Sequence, residues 1–124
     1  MSALLKISEL RNWLHEGKDF TLIDVLTEEA FAERHLPGAR KACVYEVDFL
    51  DQVAKLGIQR DHSLVVYGSG PDSLESATAA EKLDRAGFTQ VFDFRGGRAE
   101  WEKAGEVDIV LSPRGSRGLR RSRA

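Results

Sequence analysis

The sequence predicts an α/β domain with about five mostly parallel strands and helices on both faces of the sheet. Short apolar runs alternate along the chain with helical patterns, and this order is typical of a parallel sheet, whose strands need crossover connections. The run Leu64-Val65-Val66-Tyr67 is hydrophobic throughout, which indicates a central strand buried on both faces. Right-handed crossovers then distribute the helices over both sides of the sheet.

The strands are predicted where β-branched and large apolar residues cluster between turn residues. These segments are residues 4–6, 20–25, 41–45, 63–67 and 91–94.

Helices are predicted between these strands, at residues 8–15, 28–34, 47–56, 72–86 and 97–104. Ser8 and Thr27 are expected to cap the first two, because a side-chain oxygen at that position accepts from a free backbone N–H. Gly17 follows the first helix, as glycine often does at a helix end. Asp72 precedes Glu75 by three residues, and this spacing predicts a capping box at the start of the fourth helix.

Length and charge divide the chain into a domain, residues 1–110, and a flexible basic tail, residues 111–124. A chain of 124 residues is long enough for one hydrophobic core. The segment 114–124 holds five arginines and no acid, and without them thirteen basic residues stand against twenty acidic ones, about −7. An acidic body argues against nucleic-acid binding, except weakly through the arginine-rich tail.

Cysteine content and the N-terminal segment set further limits. Cys43 is the one cysteine, so neither an intrachain disulfide nor a cysteine-based metal cluster can form. No metal site and no cofactor are predicted. The first residues lack a long apolar run, so no signal peptide or membrane span is expected, and a cytoplasmic location is the default.

Five short motifs in order resemble the rhodanese-like domain, over about residues 5–107. Each is unspecific alone, but their common order and spacing predict this fold. The motifs are Ile23-Asp24-Val25, Glu29 and Phe31 before His35-Leu36-Pro37-Gly38-Ala39, Val65-Val66-Tyr67, Ala86-Gly87-Phe88, and Gly96-Gly97 with Trp101 four residues later. The resemblance implies a role for Asp24 in supporting the loop after the central strand.

The resemblance implies a sulfurtransferase scaffold, and the departures from it imply loss of that activity. Active members carry a cysteine directly after the central strand, which takes up sulfane sulfur as a persulfide; Gly68 stands here instead. Ser73 stands where a longer loop variant often has a second cysteine, and Leu26 replaces an arginine common after the Asp-Val pair. Residues 68–77 contain no Lys or Arg to hold an anionic donor.

Cys43 is the alternative nucleophile, as an unconventional persulfide site. It lies in the predicted third strand between Ala42 and Val44, not in a loop lined by N–H groups. We therefore expect Cys43 to be a small buried residue of the core.

The predicted binding loop is Gly68, Ser69, Gly70, Pro71, Asp72 and Ser73. Its glycines can orient successive N–H groups toward an anion at a helix N-terminus, although Asp72 adds a negative charge there. A serine nucleophile needs a positioned base, and the sequence contexts of His15, His35 and His62 aim none of them at this loop.

The sequence thus predicts a catalytically inactive rhodanese-like domain that serves as a binding, regulatory or sensing module. Its partner is expected to be a protein or a small anion at the Gly68–Ser73 loop. A sulfurtransferase or sulfur carrier that uses Cys43 remains the alternative function.

Overall fold

The computed structural model describes residues 2–105 and, beyond them, the backbone of Asp108–Ile109 and Leu119–Arg120. Those two short segments are β6 and β7, and they pair antiparallel. The remainder of the predicted tail, residues 111–124, lies outside the described residues.

Five parallel strands form the sheet, as the sequence predicts, and they lie in the order β1-β5-β4-β2-β3. The strands are β1 (Ala3–Leu4), β2 (Thr21–Asp24), β3 (Arg40–Lys41), β4 (Leu64–Tyr67) and β5 (Val91–Phe94). All four residues of β4 are buried, which confirms its central place. The third strand is shorter than predicted, because the chain turns at residues 44–48.

The helices are α1 (Ile7–Glu16), α2 (Glu28–Glu33), α3 (Phe49–Lys55), α4 (Glu75–Arg85) and α5 (Gly97–Lys103). They cover both faces of the sheet, and each face has its own apolar cluster. On one face, Phe49 of α3 and Leu83 of α4 pack over Val66. On the other, Leu10 of α1 and Trp101 of α5 pack over Val65.

Two predicted helix caps are wrong and one is confirmed. Helix α1 begins before Ser8, because Lys6 is extended and its N–H donates to Glu9 Oε1 at 2.8 Å. Thr27 caps α2 as expected, accepting from the Ala30 N–H at 3.2 Å. The predicted capping box of Asp72 and Glu75 does not form, since α4 begins only at Glu75, whose carboxylate turns back into the preceding loop.

Candidate functional site

The binding loop, residues 68–73, leaves the carboxyl end of β4, between strands β2 and β5. Asp24 and Phe94 lie beside Tyr67 in register, so three strands end at the same edge. The carboxyl ends of parallel strands are where α/β proteins place their ligand sites.

Helix α5 holds the binding loop by its backbone. The N–H groups of Arg98 and Ala99 donate to the carbonyls of Gly68 and Ser69, both at 2.9 Å. Gly97 has a positive φ of 63°, and a Cβ there would lie 2.5 Å from the Gly68 oxygen. The Gly96-Gly97 pair therefore lets the start of α5 approach the loop closely enough to bond it.

The carboxylate of Glu75 lies against the binding loop and accepts hydrogen bonds from three of its donors. Its Oε1 accepts from the Ser69 N–H at 2.8 Å, the Ser69 hydroxyl at 2.9 Å and the Ser73 hydroxyl at 2.8 Å. Its Oε2 accepts from the Tyr45 hydroxyl at 2.7 Å. Three hydrogen-bond donors of the loop are thus directed at an anion that belongs to the chain.

These contacts set the protonation of Glu75 and of Tyr45. Partial burial acts to raise the pKa of Glu75, but the hydrogen bonds from Ser69, Tyr45 and Ser73 outweigh it and leave the pKa below 4.5. The same bond to Glu75 raises the pKa of Tyr45, because it stabilises the protonated phenol. Glu75 is therefore a carboxylate at neutral pH, and the loop carries its charge.

Gly68 is buried, and Glu75 occupies the space beside it. A Cβ at position 68 would lie 2.5 Å from Glu75 Oε1 and 2.9 Å from its Cβ. Both distances are too short for non-bonded contact, so a side chain at position 68 needs Glu75 to move. The glycine and the glutamate are therefore mutually dependent.

Asp24 supports the edge of the sheet that carries the loop. Its Oδ1 accepts from the Leu26 N–H at 2.9 Å, and its Oδ2 accepts from the Tyr67 hydroxyl at 2.7 Å. The same hydroxyl accepts from the Leu36 N–H at 3.0 Å. Asp24 thus touches the residue before Gly68, while burial raises its pKa against the opposing effect of the Tyr67 and Leu26 hydrogen bonds.

Cys43 is a buried residue two positions before Tyr45. It is 2% exposed, and its N–H donates to Gln52 Oε1 at 3.0 Å. A thiol buried in this way cannot meet a sulfur donor unless the chain opens around it.

Ser69 and Ser73 have no histidine among their hydrogen-bond partners in the described chain. His35 stacks on Phe31 and its Nδ1 lies 3.0 Å from the Phe31 carbonyl, while His62 contacts the Thr21 hydroxyl. The side chains of Ser69 and Ser73 contact Glu75 instead. The other loop residues differ in exposure: Pro71 and Asp72 face solvent, and Gly70 is half-buried.

Sequence reasoning missed Glu75 and Tyr45 as site residues. The sequence pattern places Glu75 in a helix cap, and nothing in it connects Tyr45 to an acid thirty residues away. The sequence signal that could have found Glu75 is its position at the start of a helix, seven residues after Gly68, which has no side chain to fill the space.

Comparisons with known proteins identify the family to which this fold belongs. A family profile described as "Rhodanese-like domain" matches residues 6–104. The chain is 30% identical over 103 residues to a probable adenylyltransferase/sulfurtransferase, MoeZ, of Mycobacterium tuberculosis. The match covers 83% of this chain but only 25% of the length of MoeZ. It is 35% identical over 92 residues to thiosulfate sulfurtransferase 16, chloroplastic, of Arabidopsis thaliana, covering 67% of this chain and 74% of that protein.

Solved structures of rhodanese-like proteins have the same fold. The rhodanese-like domain of the Alr3790 protein from Anabaena superposes with a TM-score of 0.77 at 25% identity, covering 91% of this chain and 86% of that one. A thiosulfate sulfurtransferase from Pseudomonas aeruginosa gives 0.72 at 26%, covering 88% of this chain and 20% of that one. Within the described residues, no helix has the length and apolar character needed to cross a membrane. The fold, the profile match and these relatives together establish that the chain belongs to the family of rhodanese-like domains.

Proposed function

We propose that this rhodanese-like domain does not transfer sulfur and serves as a binding, regulatory or sensing module through the face that carries its binding loop. The single observation that carries the proposal is the pair Gly68 and Glu75: no thiol follows β4, and a carboxylate fills the space beside that position.

The chemistry of sulfur transfer supports this conclusion. A sulfurtransferase of this family needs a thiolate that attacks a sulfane sulfur, and positive charge or N–H dipoles around it lower its pKa. In this chain the Ser69 N–H already serves Glu75, whose negative charge also repels an anionic donor such as thiosulfate. The first residue after β4 therefore offers no thiol nucleophile, and one N–H of the loop already binds an internal anion.

A protein partner suits this loop better than a small anion. An external anion would have to displace a carboxylate that is tethered beside the same donors, and a short tether gives an internal ligand an effective concentration of about millimolar or more. An anion would also meet the uncompensated charge of Asp72. We therefore assign the binding role to a protein contact.

The test is a thiosulfate-to-cyanide sulfur-transfer assay on the full chain and on Cys43→Ser, Gly68→Cys and the double variant Gly68→Cys/Glu75→Gly. We expect no turnover from the natural chain or from Cys43→Ser. Gly68→Cys alone is also expected to be inactive, because Glu75 occupies the space of the thiol. In the double variant the new thiol has room, and we expect it to react with a thiol-labelling reagent in the folded protein.

Two results would overturn the proposal. Robust turnover by the natural chain would refute it, and loss of that turnover in Cys43→Ser would identify Cys43 as the persulfide site. Calorimetric binding of thiosulfate or phosphate to the natural chain, abolished in Ser69→Ala, would replace the protein contact by an anion site.

A further inference from the structure

Four exposed hydrophobic side chains lie in the two segments next to the binding loop. They are Tyr45, Val47, Leu50 and Leu74, with exposed fractions of 64%, 107%, 42% and 75%, and we call them the docking face. Only two other large hydrophobic side chains are comparably exposed in the described chain, Leu4 and Leu14. Exposed apolar groups concentrated beside one site indicate an interaction surface.

A small cavity lies within the docking face. Tyr45 and Leu74 line it together with Val44, Glu75 and Thr78, and its volume is about 140 Å³. Cavities that hold cofactors or drug-sized ligands start at about 300 Å³. This one has room for a single apolar side chain, and the bond from Tyr45 to Glu75 fixes one of its walls.

The docking face has an acidic border. Carboxylates alternate with its apolar residues, at Glu46, Asp48 and Asp51 on one segment and at Asp72 on the other. The side-chain amide of Gln52 donates to Glu46 at 2.7 Å and to Asp48 at 2.8 Å, which holds these two carboxylates together near Val47. Residues 42–54 and 61–81 contain no Lys or Arg.

Neighbouring cations in the described chain form no ion pair with this border. Across the binding loop, Arg95 bonds Asp93 at 2.8 Å, and Arg98 donates to the carbonyls of Ala30 and Arg34. In the described part of the chain, none of the four border carboxylates forms an ion pair. The border therefore presents unpaired negative charge around an apolar centre.

We propose that the docking face binds a segment of a partner protein in which Lys or Arg residues flank one apolar side chain. The apolar side chain enters the cavity between Tyr45 and Leu74, and the basic residues pair with Glu46 and Asp48 on one side and with Asp72 on the other. Charge complementarity selects this occupant, since a second copy of the same face would bring carboxylates against carboxylates. The inference rests on the binding role proposed above, but not on the loss of sulfur transfer.

The test selects peptides from a phage-displayed library of random 12-residue sequences on the full-length chain. We expect the selected peptides to carry Lys or Arg around a Leu, Ile or Phe. Synthetic copies of them should bind about tenfold or more weakly to Leu74→Ser, and about tenfold more weakly to the double variant Asp48→Lys/Asp72→Lys. Raising the salt concentration should also weaken the binding of these peptides to the natural chain, because salt screens the charges at the rim.

Matched variants control for general loss of surface. Leu4→Ser removes an exposed leucine on the edge strand β1, and Asp19→Lys/Asp61→Lys reverses two exposed charges elsewhere, so both should bind like the natural chain. Circular dichroism checks that every variant is folded. Any of three results would overturn the proposal: no binder is selected, the selected sequences are acidic or uncharged, or the peptides still bind Leu74→Ser.

Three further outcomes test this proposal against a second copy of the chain and against the proposed function. A dimer in analytical ultracentrifugation that Leu74→Ser dissolves would replace the partner segment by a second copy of the chain. Sulfur-transfer turnover together with peptide binding at this face would refute the inactive assignment and leave the docking face standing. Absence of both sulfur-transfer turnover and peptide binding would refute the docking face and leave the inactive assignment standing.

Discussion

Glu75 and Gly68 share one space: a Cβ on Gly68 would lie 2.5 Å from the Oε1 of Glu75, which in turn accepts the N–H of Ser69. An internal carboxylate thus lies beside the first residue after β4. This relationship makes the two residues energetically coupled, and the coupling can be measured.

Gly68→Ala should destabilise the fold by about 1–3 kcal/mol, because the added methyl group overpacks the loop against Glu75. In Gly68→Ala/Glu75→Gly the methyl group has room, so the double variant should lose about 1 kcal/mol less than the sum of the single variants. Urea unfolding of the four proteins measures this cycle. Additive free energies of unfolding would show that the two residues do not compete for space.

The contribution of Glu75 to stability should disappear in acid. Its pKa is lower in the folded chain than the ordinary value of 4.5, so its charged form stabilises the fold above that pH. As the pH falls through the lowered pKa, the carboxylate is protonated and the contribution is lost. The difference in free energy of unfolding between the natural chain and Glu75→Gln should therefore be constant above about pH 5.5 and shrink below pH 4.5.

The control for this measurement is Glu81→Gln, which alters an exposed glutamate on the outer face of α4. Asp24 also titrates in acid with the opposite sign, since its pKa is raised, but it is present in every protein compared and cancels. A difference between the natural chain and Glu75→Gln that does not depend on pH would contradict the assignment.

Tyr67→Phe should cost about 1–3 kcal/mol of stability, because it leaves the buried Leu36 N–H and one oxygen of Asp24 without their partner. Tyr45→Phe removes the same atom from a phenol that is 64% exposed, so it should cost less than about 1 kcal/mol. Thermal unfolding of both variants gives the comparison. Equal losses would mean that burial does not strengthen the Asp24–Tyr67 bond.

Gly97→Ala should be more damaging than Gly17→Ala. Both glycines have positive φ, 63° and 71°, so both substitutions carry the backbone cost of about 1–2 kcal/mol. Position 17 has open space around a new Cβ, whereas at position 97 the Cβ would meet Gly68 O at 2.5 Å and Gly70 N at 2.8 Å. Soluble expression and thermal unfolding should rank the two variants in that order, and the reverse order would argue that α5 does not hold the loop.

The local errors of the sequence predictions lie at the ends of helices and strands. Ser8 and Asp72 are good capping residues by type, but α1 begins before Ser8, where Glu9 accepts the Lys6 N–H, and α4 begins only at Glu75, whose carboxylate accepts the Ser69 N–H. The predicted third strand ends early because the chain turns at residues 44–48, although the Ala42 and Val44 N–H groups still donate to the carbonyls of Asp24 and Val25.

The sequence by itself determined the parallel α/β fold, the central place of β4 and the absence of a thiol after it. These features depend on hydrophobic periodicity, turn residues and residue identity, all of which are local. Only the tertiary structure decided that Glu75 fills the site, that Tyr45 joins it from another segment, and that the apolar docking face lies among carboxylates. Hydrogen bonds between residues distant in sequence depend on the fold that brings them together, and no local pattern encodes them.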